Sequence, residues 1–154
     1  MRFLIQVVTQ GSVTIDGDEH ARIGKGFIVL IGVSAEDIAS GNAEEIADRM
    51  TKKMLGLRIF SDENGKTNLS LADVDGSLLL VSQFTLYADC SRGNRPGFTR
   101  AGDPENANRI YEHIIARCKE QVKDVQTGVF GADMKVALVN DGPFTILLDS
   151  DELF

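Results

Sequence analysis

The sequence has no tryptophan, and only three prolines, two cysteines and two histidines among its 154 residues. The two cysteines, Cys90 and Cys118, form no CxxC pair, which argues against a disulfide-stapled secreted domain and favours a reducing compartment. No apolar run approaches the roughly 20 residues that a membrane-spanning helix requires. Residues 1–6 lack a small-residue cleavage site, so we expect no signal peptide. The sequence therefore predicts a cytoplasmic protein with one domain over residues 1–154.

Basic residues are also scarce: 16 Lys and Arg stand against 23 Asp and Glu, for a net charge of −7. This balance argues against a DNA-coating or membrane-coating protein. Arg92, Arg95 and Arg100 nevertheless share a loop without any acid from residue 91 to 102. A second basic cluster comprises Arg49, Lys52, Lys53 and Arg58. Both clusters are candidates for contacts with RNA phosphates, and a solvated basic face is the alternative.

The two histidines leave little room for metal or His-based chemistry. His20 lies in a polar turn region and His113 within a predicted helix, so we expect both to be surface residues. A zinc site needs three or four closely spaced ligands, and a Ser-His-Asp or Cys-His arrangement needs one of these histidines as its base. The sequence contains no GxxxxGK[ST] or GxGxxG motif. We therefore predict neither a metal nor a cofactor.

Six segments have the apolar or β-branched composition of strands: residues 2–8, 12–15, 26–33, 77–87, 133–139 and 143–149. Asp16-Gly17 is a hairpin-turn signal after the second segment. The run 26–33 is continuously apolar, which predicts a strand buried on both faces. A second hairpin is expected near the end of the chain.

Two main helices are predicted from apolar spacing. Ser34 and Asp37 have the spacing of a helix-start box. After it, the first main helix carries Ala43, Ile46, Ala47, Met50 and Met54. Asp103 and Pro104 begin the second, whose core stripe is Ala107, Ile110, Tyr111, Ile114, Ile115 and Cys118. Because strands outnumber helices about three to one, we predict an α/β fold: a layered β/β/α sandwich with mixed, largely antiparallel sheets and two main helices.

Two segments carry more polar chemistry than a core needs. The first, Ser82-Gln83-Phe84-Thr85-Leu86, ends an apolar run with hydroxyl, amide and backbone N–H groups that can hold an ester carbonyl and its oxyanion. The second, Asn140-Asp141-Gly142-Pro143-Phe144-Thr145, combines turn residues with a Gly-Pro bond. Taken alone, the first is also compatible with an ordinary strand end and the second with an ordinary tight turn.

Together these segments resemble the signatures of the D-aminoacyl-tRNA deacylase family, Ser-Gln-x-Thr-Leu and Asn-x-Gly-Pro-x-Thr. Further matching blocks are Leu57-Arg58-Ile59-Phe60, Asn68-Leu69-Ser70, Arg95-Pro96-Gly97-Phe98 and Phe130-Gly131-Ala132-Asp133-Met134. The likeness runs in constant order from residue 1 to about residue 150. The joint pattern is specific where any one block would be weak.

The resemblance implies a homodimer with active sites at the subunit interface, acting on the acceptor end of D-aminoacyl-tRNA. It implies that a cis Gly142-Pro143 pair reaches into the partner's site and leaves no room for an L side chain, whereas glycine and D residues are admitted. By the same resemblance, Ser82, Gln83, Phe84 and Thr85 line the hydrolytic site, with Asn140 and Thr145 nearby. The terminal adenosine is expected near Phe84, Phe130 and Met134.

The resemblance also accounts for the missing catalytic histidine, because the tRNA 2′-hydroxyl is thought to assist hydrolysis of an already labile ester. We expect Thr85 to act as a positioning group with its backbone N–H in the oxyanion site, since no base is evident to activate it. The chain departs from many relatives at Val7 and Val129, where arginine is frequent, and at Gln10-Gly11. Two alternatives remain: a non-catalytic dimer that binds an RNA end or small molecule, and an L-alanyl-tRNA editing deacylase.

Overall fold

The computed structural model describes all residues from 1 to 154. The strands are β1 (Arg2–Ile15), β2 (Asp18–Ile23), β3 (Gly26–Gly32), β4 (Phe60–Ser61), β5 (Thr67–Leu69), β6 (Ser77–Ser82), β7 (Val125–Thr127) and β8 (Lys135–Asp149). The helices are α1 (Ala35–Ala39), α2 (Ala43–Leu55), α3 (Pro104–Lys119) and α4 (Ser150–Leu153), with a 3₁₀ turn over Phe84–Tyr87.

The main sheet is mixed, as predicted. Its strand order is β2-β1-β3-β6-β7, and β8 pairs with β1. Strand β1 is antiparallel to β2, β3 and β8, whereas β3-β6 and β6-β7 are parallel. Parallel neighbours need a long crossover, which α1 and α2 provide between β3 and β6. Strands β4 and β5 form a separate hairpin.

Two apolar clusters cover the two faces of the central strands. The larger, of 23 buried residues, joins one face to α2 and α3 and includes Phe27, Val29 and Leu80. The smaller, of seven, includes Ile28 and Leu79 on the opposite face, against residues of β1 and β2. Strand β3 is therefore buried on both faces, and the predicted β/β/α layering is confirmed.

Three strand predictions were wrong in their extent. Residues 2–8 and 12–15 belong to one continuous strand, β1, which bends at register shifts near Val8. The strand predicted over 77–87 ends at Ser82 and continues as the 3₁₀ turn. Segments 133–139 and 143–149 form no hairpin, because both halves pair with β1 in one direction as the single strand β8. The hairpin turn predicted at Asp16-Gly17 is confirmed, because it joins β1 to the antiparallel strand β2. The short strands β4, β5 and β7 were not predicted.

The helix predictions are confirmed. Ser34 and Asp37 form the capping box of α1, and the Asp103 side chain accepts from Asn106 N–H at 3.0 Å to cap α3. The six predicted stripe residues of α3 are all buried. His113 Nε2 lies 2.7 Å from Asp48 Oδ1, which joins α3 to α2. No helix is long and apolar enough to cross a bilayer.

Candidate active site

A cavity of about 570 Å³ opens where the parallel strands β3 and β6 end. Ligands commonly bind at the carboxyl ends of parallel strands, because loops diverge from the sheet there. The first turns of α3 and the segment 130–134 form the other walls. Of the predicted residues, the structure brings Ser82, Gln83, Phe84, Phe130 and Met134 together in this lining.

The 3₁₀ turn after β6 presents unpaired backbone donors beside the cavity. Gln83 N–H donates to Ile31 O at 2.7 Å, which extends the β3-β6 ladder by one residue. The Gln83 side chain caps no N–H of the turn; its Nε2 instead pairs with Thr85 Oγ1. The N–H groups of Phe84 and Thr85 open the turn and so have no intrahelical acceptor. Phe84 lines the cavity, whereas Thr85 follows it outside the lining.

Arg2 fixes the far end of this turn. Its guanidinium donates to Leu86 O at 2.8 Å and to Asp149 Oδ2 at 2.7 Å, and it lies 4.6 Å from the centre of the Tyr87 ring. Burial alone would raise the pKa of Asp149, but hydrogen bonds from Arg2 and Asp151 N–H lower it below its ordinary value. Burial raises the pKa of Tyr87. The turn is therefore anchored to one end of the β1-β8 pair, where Arg2 lies opposite Asp149.

Two exposed aromatic rings stand at the mouth of the cavity. Phe84 is 56% exposed and Phe98 is 40% exposed, unlike most large apolar side chains of the protein. Their ring centres are 5.0 Å apart and their planes meet at 71°. Phe98 lies on the loop between the 3₁₀ turn and α3, outside every regular element.

The inner wall is apolar and rigid. Phe130 packs against Tyr111, with ring centres 6.1 Å apart. Tyr111 Oη donates to Leu80 O at 2.8 Å and ties α3 to β6, and burial raises the pKa of this hydroxyl. Met134 approaches Gly128 so closely that a Cβ added there would lie 2.5 Å from its sulfur. Phe130 and Met134 thus face a preformed apolar space.

The Gly142-Pro143 segment is a bulge in β8 that protrudes opposite Val7. Gln6 pairs with Thr145 and Val8 with Asn140, so four residues of β8 face one residue of β1. The Gly142-Pro143 peptide bond is cis. Both residues are exposed, and neither lines the cavity of its own chain.

The Asn140 side chain closes the base of this bulge. Its Nδ2 donates to Gln6 Oε1 and Thr145 Oγ1, both at 2.9 Å, while its Oδ1 accepts from Phe144 N–H at 2.6 Å. Val7 is instead buried in the larger core and offers the bulge no hydrogen bond. The bulge is therefore held by three side-chain hydrogen bonds of Asn140.

The predicted basic residues separate into two places. Arg92, Arg95 and Arg100 lie exposed on the loop that carries Phe98, and none forms an ion pair. Lys52 lines a different cavity beyond the end of α3, beside Lys123. Since α3 has 16 residues and begins at the first cavity, roughly 24 Å of helix separates the two groups.

The structure adds site residues that the sequence analysis did not assign. Phe98 and Tyr111 line the cavity, Arg2 anchors the turn, and Gln6 supports Asn140. Phe98 was detectable as an aromatic residue in a basic loop. Arg2 and Gln6 gave no signal, because their partners lie more than 80 residues away.

Comparison with known proteins supports the relationship implied by the two signature segments. The family model described as D-Tyr-tRNA(Tyr) deacylase matches residues 4–149. Curated relatives named D-aminoacyl-tRNA deacylase include those of Clostridium novyi, 49% identical, and Clostridioides difficile, 50% identical, each over the whole of both chains.

Two solved structures have the same fold as this chain. The c-Myc DNA Unwinding Element Binding Protein has a TM-score of 0.88 at 38% identity, covering 97% of this chain and 98% of that one. A probable eukaryotic D-amino acid tRNA deacylase has a TM-score of 0.84 at 17% identity, covering 96% and 97%, and supports the fold. With the model match spanning nearly the whole chain and full-length relatives about half identical, this protein belongs to the D-Tyr-tRNA(Tyr) deacylase family.

Proposed function

We propose that this protein hydrolyses the ester that joins a D-amino acid to the 3′-terminal adenosine of tRNA, in the cytoplasm. The observation that carries the proposal is the uncapped 3₁₀ turn at Phe84 and Thr85, set beside a preformed aromatic cavity. The same residues form one of the two signature segments that the sequence shares with the family.

The proposed chemistry is attack of water on the ester carbonyl. The carbonyl oxygen becomes an oxyanion that the N–H groups of Phe84 and Thr85 stabilise, and preorganised donors of this kind lower such barriers by several kcal/mol. The carbon–oxygen bond to the ribose then breaks, and the ribose oxygen leaves as a hydroxyl group with the proton released by the attacking water. Thr85 Oγ1 is occupied by the Gln83 amide, so Thr85 positions rather than attacks.

The adenosine of the substrate occupies the inner cavity. Phe84 offers an exposed ring face, and Phe130 and Met134 supply the apolar wall opposite the hydrolytic residues. Aromatic stacking and sulfur contacts suit a purine, whose faces are apolar and polarisable. In this arrangement the substrate's own 2′-hydroxyl lies beside the ester and assists hydrolysis.

Chiral selection is assigned to Gly142-Pro143 of a partner subunit in a homodimer. Two observations support this assignment: the pair is exposed and does not line the cavity of its own chain, and β8 exposes apolar side chains at Val136, Val139 and Leu147. Backbone groups held at the reacting carbon exclude an L side chain and admit a hydrogen atom or a D side chain. Glycyl-tRNA is therefore also a proposed substrate.

The direct test is hydrolysis of D-Tyr-tRNA and L-Tyr-tRNA by the purified protein in the presence of EDTA. Rapid release from the D ester alone supports chiral editing. Comparable release from both esters would contradict the Gly142-Pro143 assignment and implicate Val7. No release from either ester by a folded protein would favour a binding protein, and release from an L-alanyl ester alone would favour L-alanine editing.

The role of Thr85 is tested by Thr85→Ala with Thr85→Pro as its counterpart. Thr85→Ala removes the hydroxyl and keeps the backbone donor. The rate of D-Tyr-tRNA hydrolysis should therefore remain within about tenfold of wild type, which is the effect of losing one hydrogen bond. Thr85→Pro removes the N–H and should lower kcat by roughly 100-fold or more. Complete loss in the folded Thr85→Ala variant would indicate a nucleophile instead.

A further inference from the structure

We propose that Phe98 and its loop form a second nucleobase subsite, which receives the nucleotide preceding the terminal adenosine. The subsite deepens the function proposed above and rests on it, because its ligand is the single-stranded 3′ end of the same RNA. Phe98 has no role in the hydrolytic chemistry or in the chiral selection described above.

The Phe84 and Phe98 rings are oriented to stack on two differently oriented planar groups. The Phe84 and Phe98 rings meet at 71°, so a base stacked flat on Phe84 stands nearly edge-on to Phe98. The face of Phe98 is thus left to another planar group. A ring that is 40% exposed at the mouth of a cavity, on an otherwise polar loop, is typical of a stacking platform for single-stranded nucleic acid.

Backbone hydrogen bonds fix the loop that carries this ring. Gly97 and Asp89 exchange both backbone hydrogen bonds, at 2.8 and 2.9 Å. Beyond Phe98, Ala101 N–H donates to Phe98 O at 3.1 Å, and Gly102 N–H donates to Val33 O at 2.9 Å. The loop backbone is thus fixed to the residue after β3 on one side and to the segment after the 3₁₀ turn on the other, so it loses little conformational entropy when a base stacks on Phe98.

The charges of the loop fit the linking phosphate. Arg95 and Arg100 flank Phe98, neither forms an ion pair within 4 Å, and residues 91–102 contain no acid. The Arg100 guanidinium lies 5.9 Å from the Tyr87 ring and so is directed back towards the 3₁₀ turn. On a chain of net charge −7, three unpaired arginines in one loop mark a local anion path.

The order of residues from the interior outward gives the direction of the RNA. Tyr111 is buried and Phe130 is partly buried, whereas Phe84 and Phe98 are both exposed, and of these four only Phe98 belongs to the loop that carries the arginines. A nucleoside in the inner cavity therefore sends its 5′ phosphate past Phe98 towards the arginines. In tRNA the nucleotide at that point is a cytidine.

The test compares substrates that differ by one nucleotide. The D-tyrosyl esters of adenosine and of cytidylyl-adenosine are assayed with wild type and with Phe98→Ala, Phe98→Tyr and Phe154→Ala. The measured quantity is the gain in kcat/KM from the added cytidylate. Wild type should gain roughly 5- to 150-fold, the range for one base stacked on an aromatic ring. Phe98→Ala should lose most of this gain, whereas Phe98→Tyr, which keeps a ring, should retain it.

Phe154 is a matched control, because it is exposed to a similar degree but stacks on Arg49 and does not line the cavity. Phe154→Ala should show the wild-type gain. A wild-type gain in Phe98→Ala overturns the subsite. An equal loss of kcat/KM on both esters also overturns it, because Phe98 would then only shape the adenosine cavity. If wild type cleaves neither ester, the proposed function fails. The subsite is then tested by calorimetry: the gain in affinity from adenosine to cytidylyl-adenosine should be present in wild type and lost in Phe98→Ala.

Discussion

Replacing Arg2 with methionine should destabilise the protein and disturb the 3₁₀ turn. Methionine keeps an unbranched apolar stem, so the change removes mainly the guanidinium contacts. The Asp149 carboxylate, 8% exposed, would lose its partner at 2.7 Å, and Leu86 O would lose a charged donor. Breaking a fully buried ion pair costs about 3–5 kcal/mol. Because the Arg2 side chain is 26% exposed, we expect about 2–3 kcal/mol.

The assay is urea unfolding at pH 7. It is monitored by far-ultraviolet circular dichroism, because the protein has no tryptophan whose fluorescence could report unfolding. Arg22→Met is the matched control, because Arg22 and Glu19 form an exposed pair on a hairpin, and no measurable change is expected there. Arg2→Lys keeps the charge but not the forked geometry and should fall between the two. An Arg2→Met free energy of unfolding within ~0.5 kcal/mol of wild type would refute the anchoring role.

The pH dependence gives a second check with a defined sign. The pKa of Asp149 is lower in the folded protein than in the unfolded chain. Its contribution is therefore present above the unfolded pKa of about 4 and is lost as the pH falls through the folded value. The stability difference between wild type and Arg2→Met should shrink below about pH 4. A difference that stayed constant from pH 7 to pH 3 would show that Asp149 is not the relevant partner.

Two further changes test the braces around the site. Asn140→Ala removes all three side-chain contacts across the β8 bulge, so the ratio of D-ester to L-ester hydrolysis should fall by roughly tenfold, equivalent to about 1.4 kcal/mol. Unchanged discrimination by a folded variant would remove Asn140 from chiral selection. Tyr111→Phe should cost only about 1 kcal/mol in urea unfolding, because Leu80 O keeps its bond from Gly128 N–H at 2.9 Å. A loss above ~3 kcal/mol would mean that the hydroxyl does more than tie α3 to β6.

The helices were predictable from sequence because their signals are local. Asp103, Pro104 and the apolar stripe of α3 lie within a few turns of one another, and capping and spacing fix both ends of the element. The burial of β3 on both faces was predictable for the same reason, since its apolar run is continuous. Both signature segments were also visible in the sequence.

The elements that were mispredicted depend on distant partners. Aromatic and β-branched residues at 84–87 favour a strand, yet the chain turns there and Arg2, 84 residues away, holds Leu86 O. Asn140-Asp141-Gly142-Pro143 has the composition of a hairpin turn, but β1 continues past it on both sides and keeps β8 as one strand. Neither outcome is encoded in the neighbouring residues.

The bulge in β8 also bears on aggregation. Strand β8 pairs only with β1, so its other side is a free edge 15 residues long, with apolar side chains at Val139 and Leu147. An uninterrupted edge of that length invites strands of other molecules to add to it. The protruding residues between Asn140 and Thr145 divide the edge into two halves of five or six residues, and Pro143 removes a donor at the break. The segment proposed to discriminate between stereoisomers thus also prevents the longest edge of the sheet from serving as a continuous template for fibril growth.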